Sequence, residues 1–269
     1  MSALLTHRVE GDGPPVVLLN GGMMTIAAWH EVATSLVERF QVIRCDFRGQ
    51  LLSPEKTSHG EPTTRLADHA ADVVALLDHL DIDQAHVIGA SFGGMIGVCL
   101  AADWPRRVTS LQAVTVGLRA SERFDRSTRR VIEALDNDAR GTVYDLVAEE
   151  VFSESYRRDH ADVLASRRAA TMALPDTWYG GLRRILETVL GFDLSAEAER
   201  VEAPSSVVVA NLDEVMPPAS SHQLATLLHA EVVEHPSAGH GLVMEDPRWL
   251  VETCLPFLER LTLERLGAS

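Results

Sequence analysis

The sequence predicts an α/β protein: a mostly parallel, twisted sheet with helices on both faces and a helical lid inserted between two strands. Three observations predict it. Short continuous apolar runs such as Val16-Val17-Leu18-Leu19 and Ala85-His86-Val87-Ile88 alternate with longer amphipathic stretches, as buried parallel strands alternate with crossover helices. From about Leu118 to Ala203 the pattern turns helical throughout and rich in Arg and Glu, and strand character resumes at Ser206–Ala210. Finally, Gly89-Ala90-Ser91-Phe92-Gly93 joins an apolar strand to an apolar, small-residue helix through a sharp turn with a serine at its apex.

Taken in order, residues 4–10 make a first strand that ends at Gly11-Asp12-Gly13-Pro14-Pro15. Val16–Leu19 is the next strand and stops at Asn20-Gly21-Gly22. A helix from about Thr25 to Arg39 follows, with Thr25 as its cap and Trp29, Val32, Ala33 and Leu36 on one face. Gln41–Cys45 is a strand, and residues 63–80 carry Leu66, Ala70, Val73, Val74, Leu77 and Leu80 at helical spacing. Strand 85–89, the serine turn, helix 92–103 and strand Val108–Val116 complete the first half. Within the helical block, Pro175 and Gly180-Gly181 mark breaks. After Ser206–Ala210, Pro217-Pro218 open a helix to about Leu228, Glu231–Glu234 is a strand, and a last helix spans about 247–265. This organisation assigns 1–117 and 204–269 to one core and 118–203 to the lid over the strand ends, where ligands of such sheets bind.

Composition narrows the function classes. At 269 residues and 46% hydrophobic content the chain suffices for one large core, and no apolar run reaches the roughly 18 residues of a membrane span. The net charge of −15 argues against nucleic acid or an anionic membrane as partner; a small-molecule substrate is expected, with monomer and homodimer both open. Three distant cysteines, Cys45, Cys99 and Cys254, and an N-terminus without signal-peptide features point to a reducing cytoplasm. Lys56 is the only lysine.

A serine on such a turn has its hydroxyl lifted clear of the sheet and faces the N-terminus of the next helix, which suits a nucleophile. Acyl transfer then requires a base, an acid and an anion hole. Ala210-Asn211-Leu212-Asp213-Glu214-Val215-Met216-Pro217 follows the penultimate strand, Ala238-Gly239-His240-Gly241 follows the last, and Leu19-Asn20-Gly21-Gly22-Met23 follows the second. With G-x-S-x-G at 89–93, these motifs resemble those of the α/β-hydrolase family over essentially the whole chain, in the chain order Ser, Asp, His.

The resemblance implies an α/β-hydrolase fold and assigns roles. Ser91 attacks a carbonyl carbon, His240 takes its proton, and Asp213 holds the other imidazole nitrogen; Glu214 is an alternative acid. The backbone N–H groups of Gly22 and Phe92 receive the oxyanion. Lining of the substrate pocket is expected from Met23, Met24 and Phe92 below and from Met172, Trp178 and Tyr179 in the lid, a wall suited to an apolar group. No metal or organic cofactor is needed. A serine in place of an aspartate sets aside the epoxide-hydrolase and haloalkane-dehalogenase branches. Two departures stand out: Asn20 replaces the usual histidine, implying a swapped hydrogen bond, and Leu51 replaces the second glycine of D-x-R-G-x-G-x-S in Asp46–Ser53, bringing Leu51 or Leu52 towards the pocket.

The expected reaction is hydrolysis of a carboxylic ester through an acyl-enzyme. Carbon–carbon bond hydrolysis or lysis, thioester hydrolysis, and receptor-like ligand binding without turnover are the alternatives. Arg119, Arg123, Arg126, Arg129 and Arg130 form either a solvated face balanced by Glu122, Asp125 and Glu133 or a dock for a carboxylate or phosphopantetheine-type anion.

Overall fold

The structure, a computed structural model, describes residues 4–51, 53–54 and 64–268. Leu52 and Lys56 lie outside the described residues. Among these, seven strands form one sheet: β1 (His7–Glu10), β2 (Pro15–Leu19), β3 (Gln41–Cys45), β4 (Ala85–Ala90), β5 (Val108–Val114), β6 (Ser205–Ala210) and β7 (Glu231–His235). Their order is β1-β3-β2-β4-β5-β6-β7. β1 runs antiparallel to β3 and every other pairing is parallel.

Alternation along β2 shows how the layers arise. Val17 and Leu19 face one side, packing with Val73 and Leu77 of helix α2 (Leu66–His79) and Ile96 and Leu100 of α3 (Phe92–Asp103). Val16 and Leu18 face the other side, against Leu36 of α1 (His30–Leu36) and the C-terminal helix, whose Leu250 and Leu258 are fully buried. Each such side chain contributes about 1.5–3 kcal/mol of transfer free energy.

Between β5 and β6 lie six helices: α4 (Glu122–Asp136), α5 (Arg140–Val151), α6 (Glu154–Asp159), α7 (Ala161–Met172), α8 (Asp176–Val189) and α9 (Ser195–Ala198). Val131, Val143, Trp178 and Leu182 make a separate apolar cluster there. The chain ends in α10 (Pro218–Leu227), α11 (Leu242–Glu245) and α12 (Pro247–Ala268). No helix among the described residues is long and apolar enough to cross a membrane.

Three local expectations are corrected. The first strand starts at His7. The helix expected over 25–39 is a 3-10 turn, Ile26–Trp29, running into α1, and Thr25 is extended (φ −131°) with no capping bond from its hydroxyl. Gly180-Gly181 does not break the lid, because α8 passes straight through both. Gly181 is small for packing: a Cβ there would overlap the carbonyl of Gly49 and stand 2.9 Å from the Gly49 Cα.

The strand order also locates the site. From β2 the chain goes outward to β3 and then crosses back to β4, after which the strands continue to the other edge. The crevice at the carboxyl ends of β2 and β4 is therefore the topological switch point, where open parallel sheets bind ligands. Gly21-Gly22 follow β2, and Ser91 follows β4.

Candidate active site

Ser91 sits between β4 and α3 with φ 50° and ψ −117°, a strained conformation for a residue with a side chain. Its N–H donates to Val114 O at 2.9 Å, and its carbonyl accepts from Gly94 and Met95 at 2.9 and 3.0 Å. The flanking glycines permit this turn through close packing. A Cβ on Gly89 would come within 2.7 Å of the Gly94 Cα, and one on Gly93 within 2.6 Å of Asn20 O.

Asp213 and His240 arrive on loops after β6 and β7. These loops are tied together: Asn211 N donates to His235 O at 2.9 Å and Leu212 N to Ala238 O at 3.0 Å. Asp213 Oδ1 accepts from the amides of Val215 (2.9 Å) and Met216 (2.7 Å), which orients the carboxylate. Its Oδ2 lies 2.8 Å from His240 Nδ1, and His240 Nε2 lies 2.8 Å from Ser91 Oγ. The Asp213 side chain is only 1% exposed and that of His240 8%. Glu214, the alternative acid, points away and pairs with Arg123 at 2.5 Å.

Phe92 opens α3, so its amide has no intrahelical acceptor. Gly22 lies on the facing wall of the same crevice. Behind it lies a buried polar network. Asn20 Nδ2 donates to Asp46 Oδ1 (3.0 Å) and to Gln50 Oε1 (3.3 Å), the swapped hydrogen bond expected where the usual histidine is missing. Burial pushes the Asp46 carboxyl up to about 6, against the lowering effect of the Ile26 amide and Asn20.

A family model described as the alpha/beta hydrolase fold matches residues 14–247. The chain belongs to the α/β-hydrolase fold family. Among its relatives, the "Putative carbamate hydrolase RutD" of Caulobacter segnis is 31% identical over 265 residues, covering 95% of this chain and 96% of that protein. The enol-lactonase from Burkholderia xenovorans LB400 is similar in structure, with 25% identity and a TM-score of 0.84 over 95% of this chain and 96% of that one. A thermophilic esterase from Thermogutta terrifontis, with malate bound, has a TM-score of 0.83 at 22% identity over 97% and 98% of the two chains, and shows the shared fold alone.

In this α/β hydrolase the crevice widens into a cavity of about 570 Å³ beneath the lid helices. Met23, Met24, Phe92 and Trp178 line it, as expected, and so does Leu51, whose φ of 39° places a leucine where the family motif has glycine. Met172 and Tyr179 do not. Met172 is 39% exposed at the end of α7, its sulfur near the Arg168 guanidinium. Tyr179 follows Trp178 on α8, about 100° around the helix, and packs behind it: its ring meets Trp178 edge-on at 4.9 Å and its hydroxyl donates to Thr171 O at 2.8 Å. The arginines of the 119–130 segment are exposed, and none lines the cavity.

The wall is apolar apart from a few groups. Thr115 and Tyr144 are among its lining residues, and their buried hydroxyls lack hydrogen-bond partners among the described residues. Thr115 also has a φ of 51°, unusual for a β-branched residue. Among the described residues, no group of three or more His, Cys, Asp or Glu side chains is placed to hold a metal ion.

Two residues of the site region escape sequence reasoning. Glu245 joins the lid to the histidine loop: its Oε1 accepts from Ser153 N (2.8 Å) and Gly239 N (3.2 Å), and its Oε2 from Ser153 Oγ (2.7 Å). Gln50 lies in a motif the sequence does display, yet its Nε2 donates to two glycine carbonyls, which no side-chain pattern reveals.

Proposed function

We propose that this α/β hydrolase cleaves a carboxylic ester of a small or medium, largely apolar substrate through an acyl-enzyme. One observation carries the reading: Ser91 Oγ, His240 Nε2, His240 Nδ1 and Asp213 Oδ2 form a continuous hydrogen-bonded chain that opens into an apolar cavity. Ser91 Oγ attacks the ester carbonyl as its proton passes to His240 Nε2, and Asp213 steadies the resulting imidazolium. The amides of Gly22 and Phe92 meet the oxyanion, each worth about 2.7–4 kcal/mol in the transition state. Collapse expels the alcohol, protonated by His240, and a water molecule repeats the sequence on the acyl-Ser91 ester to release the acid.

The carbamate-hydrolase name of the 31%-identical relative favours a second reading within the same chemistry, a carbamate carbonyl in place of the ester. The test is labelling with a fluorophosphonate, wild type against Ser91→Ala, together with turnover of short-chain p-nitrophenyl esters and of the matching p-nitrophenyl carbamates. Ester turnover with labelling abolished in Ser91→Ala is the expected result. Labelling that persists in Ser91→Ala removes the serine, and turnover of carbamates alone selects the second reading. Stoichiometric ligand binding without product would make the chain a receptor.

A further inference from the structure

Resting on the hydrolase reading above, we infer that Gln50 is a positioning residue for the oxyanion site, clamping the Gly21–Gly22 peptide so that the Gly22 N–H points into the cavity. Gly21 C=O and Gly22 N–H belong to one planar peptide unit, and none of the described peptide bonds is cis. In a trans unit these two groups point in opposite directions, so a donor that holds the oxygen from the protein side aims the N–H the other way. Gln50 Nε2 is such a donor, 3.1 Å from Gly21 O and 3.1 Å from Gly22 O, beside the Met24 amide that also reaches Gly21 O.

The need for a clamp follows from the sequence. Two consecutive glycines have the widest backbone freedom available, and rotation of the peptide between them would turn the donor out of the site. Gly21 N donates to Met24 Sδ at 3.2 Å, which restrains the preceding peptide unit. Met24 N donates to Gly21 O at 3.1 Å, so that oxygen is shared between this turn and Gln50. Among the described residues Gln50 alone supplies a side-chain donor to it and ties it to Gly22 O as well.

The clamp itself is rigid. Gln50 is 1% exposed, and its Oε1 accepts from Phe47 N at 2.9 Å and Asn20 Nδ2 at 3.3 Å. Both ends of the side-chain amide are therefore committed, with two donors on its oxygen and two acceptors on its nitrogen. An amide flip would set oxygen against two carbonyls and nitrogen against two donors. Asn20 is fixed in turn by Asp46 Oδ1, which also accepts from Ile26 N at 2.9 Å. No other uncharged side chain of this length offers two N–H donors and an acceptor: methionine matches the length without the bonds, and glutamate sets an acceptor against the two carbonyls.

The experiment compares wild type, Gln50→Met and Gln50→Glu, with all rates referred to active sites titrated to completion at Ser91 by a fluorophosphonate, so that misfolded material does not count. The expected result is a fall in kcat for a p-nitrophenyl ester of about 10²–10³-fold in both variants, the loss typical of one missing oxyanion donor. KM should stay within about threefold. Affinity for a trifluoromethyl ketone, whose adduct carries the oxyanion, should weaken in proportion to kcat/KM, while affinity for the product acid stays level. A general loosening of the site would weaken all ligands alike, and that outcome overturns the assignment, as does a kcat per titrated site within threefold of wild type. A wild-type chain that neither hydrolyses esters nor labels at Ser91 sinks the hydrolase reading and this inference together, whereas unchanged variants of an active wild type sink this inference alone.

Discussion

Gly181 of lid helix α8 rests directly on Gly49 of the loop after β3, so closely that a Cβ on Gly181 would overlap the Gly49 carbonyl. The lid meets the core backbone to backbone at this point, four residues before Ile185, which packs near Gly22. Gly181→Ala should force the helix away from the loop. Helix propensity would favour alanine by about 1 kcal/mol, but overpacking of this kind costs about 1–3 kcal/mol, and here the clashing atoms are backbone. The expected outcome is a lower thermal midpoint and an altered chain-length preference towards p-nitrophenyl esters. A midpoint equal to or above wild type would show that the lid can shift without cost.

Asp213→Asn separates orientation from charge. The asparagine oxygen can keep the Val215 and Met216 amides, so the loop should hold and thermal stability should change little. Its NH₂ group would face His240 Nδ1 and favour the tautomer with the proton on Nε2, which cannot accept from Ser91. A fall in kcat on the order of 10⁴ is expected, the size seen when the serine-protease aspartate is treated in this way. Activity within tenfold of wild type would remove Asp213 from the reaction.

Glu245 gives the lid a second attachment. Gly239 and Gly241, on either side of His240, pack against the segment Val151–Ser153, where a Cβ on either would come within 2.8 Å of the Ser153 amide or the Phe152 ring. Glu245→Ala removes three accepted hydrogen bonds from this junction and should cost about 1.5–3 kcal/mol, the scale for bonds to a charged group. Glu245→Gln keeps an acceptor for the two amides and should recover most of the loss. Chemical denaturation of the three proteins checks the order.

Three buried groups set opposing pH dependences. Burial, reinforced by the nearby Arg48 charge, lowers His69 to about 3, and burial lowers His86 to about 4. The unfolded chain protonates both near 6.5, so their contribution is complete above that pH and is lost as pH falls towards 4. Asp46, raised to about 6, acts in the other direction: the native state binds its proton first, and stability is regained as pH falls from about 6 to 4. Asp46→Asn removes that compensation, so the acid limb of its stability curve should be steeper than that of wild type by up to about 1.4 kcal/mol per pH unit. His86→Gln should flatten it. Urea midpoints at pH 4.5, 5.5 and 7 provide the comparison, and parallel curves for all three proteins would refute it.

Much of this was legible in the residues themselves. The apolar run of β4, the glycines around Ser91 and the small-residue helix behind it are local, because strand, turn and helix signals act over a few neighbours. Asp213 and His240 could be placed because each follows a strand, and in a parallel sheet all strands deliver their following loops to one end. Where the reading went astray, a local signal had a distant cause. Gly180-Gly181 looked like a helix break, yet Gly181 answers to Gly49; Tyr179 looked like pocket wall, yet helix geometry turns it behind Trp178.

By itself, then, the sequence determined the layered sheet, the helical insert between two of its strands and the chain order that brings Ser91, Asp213 and His240 to one end of the sheet, since short-range patterning and strand order suffice for those. Only the tertiary structure decided which lid side chains face the cavity, that Glu245 joins lid to histidine loop, and that Gln50 grips the two glycine carbonyls. The physical reason is that these depend on hydrogen bonds and contacts between residues brought together by packing, several of them to backbone atoms, which are the same in every residue and leave no mark in the order of side chains.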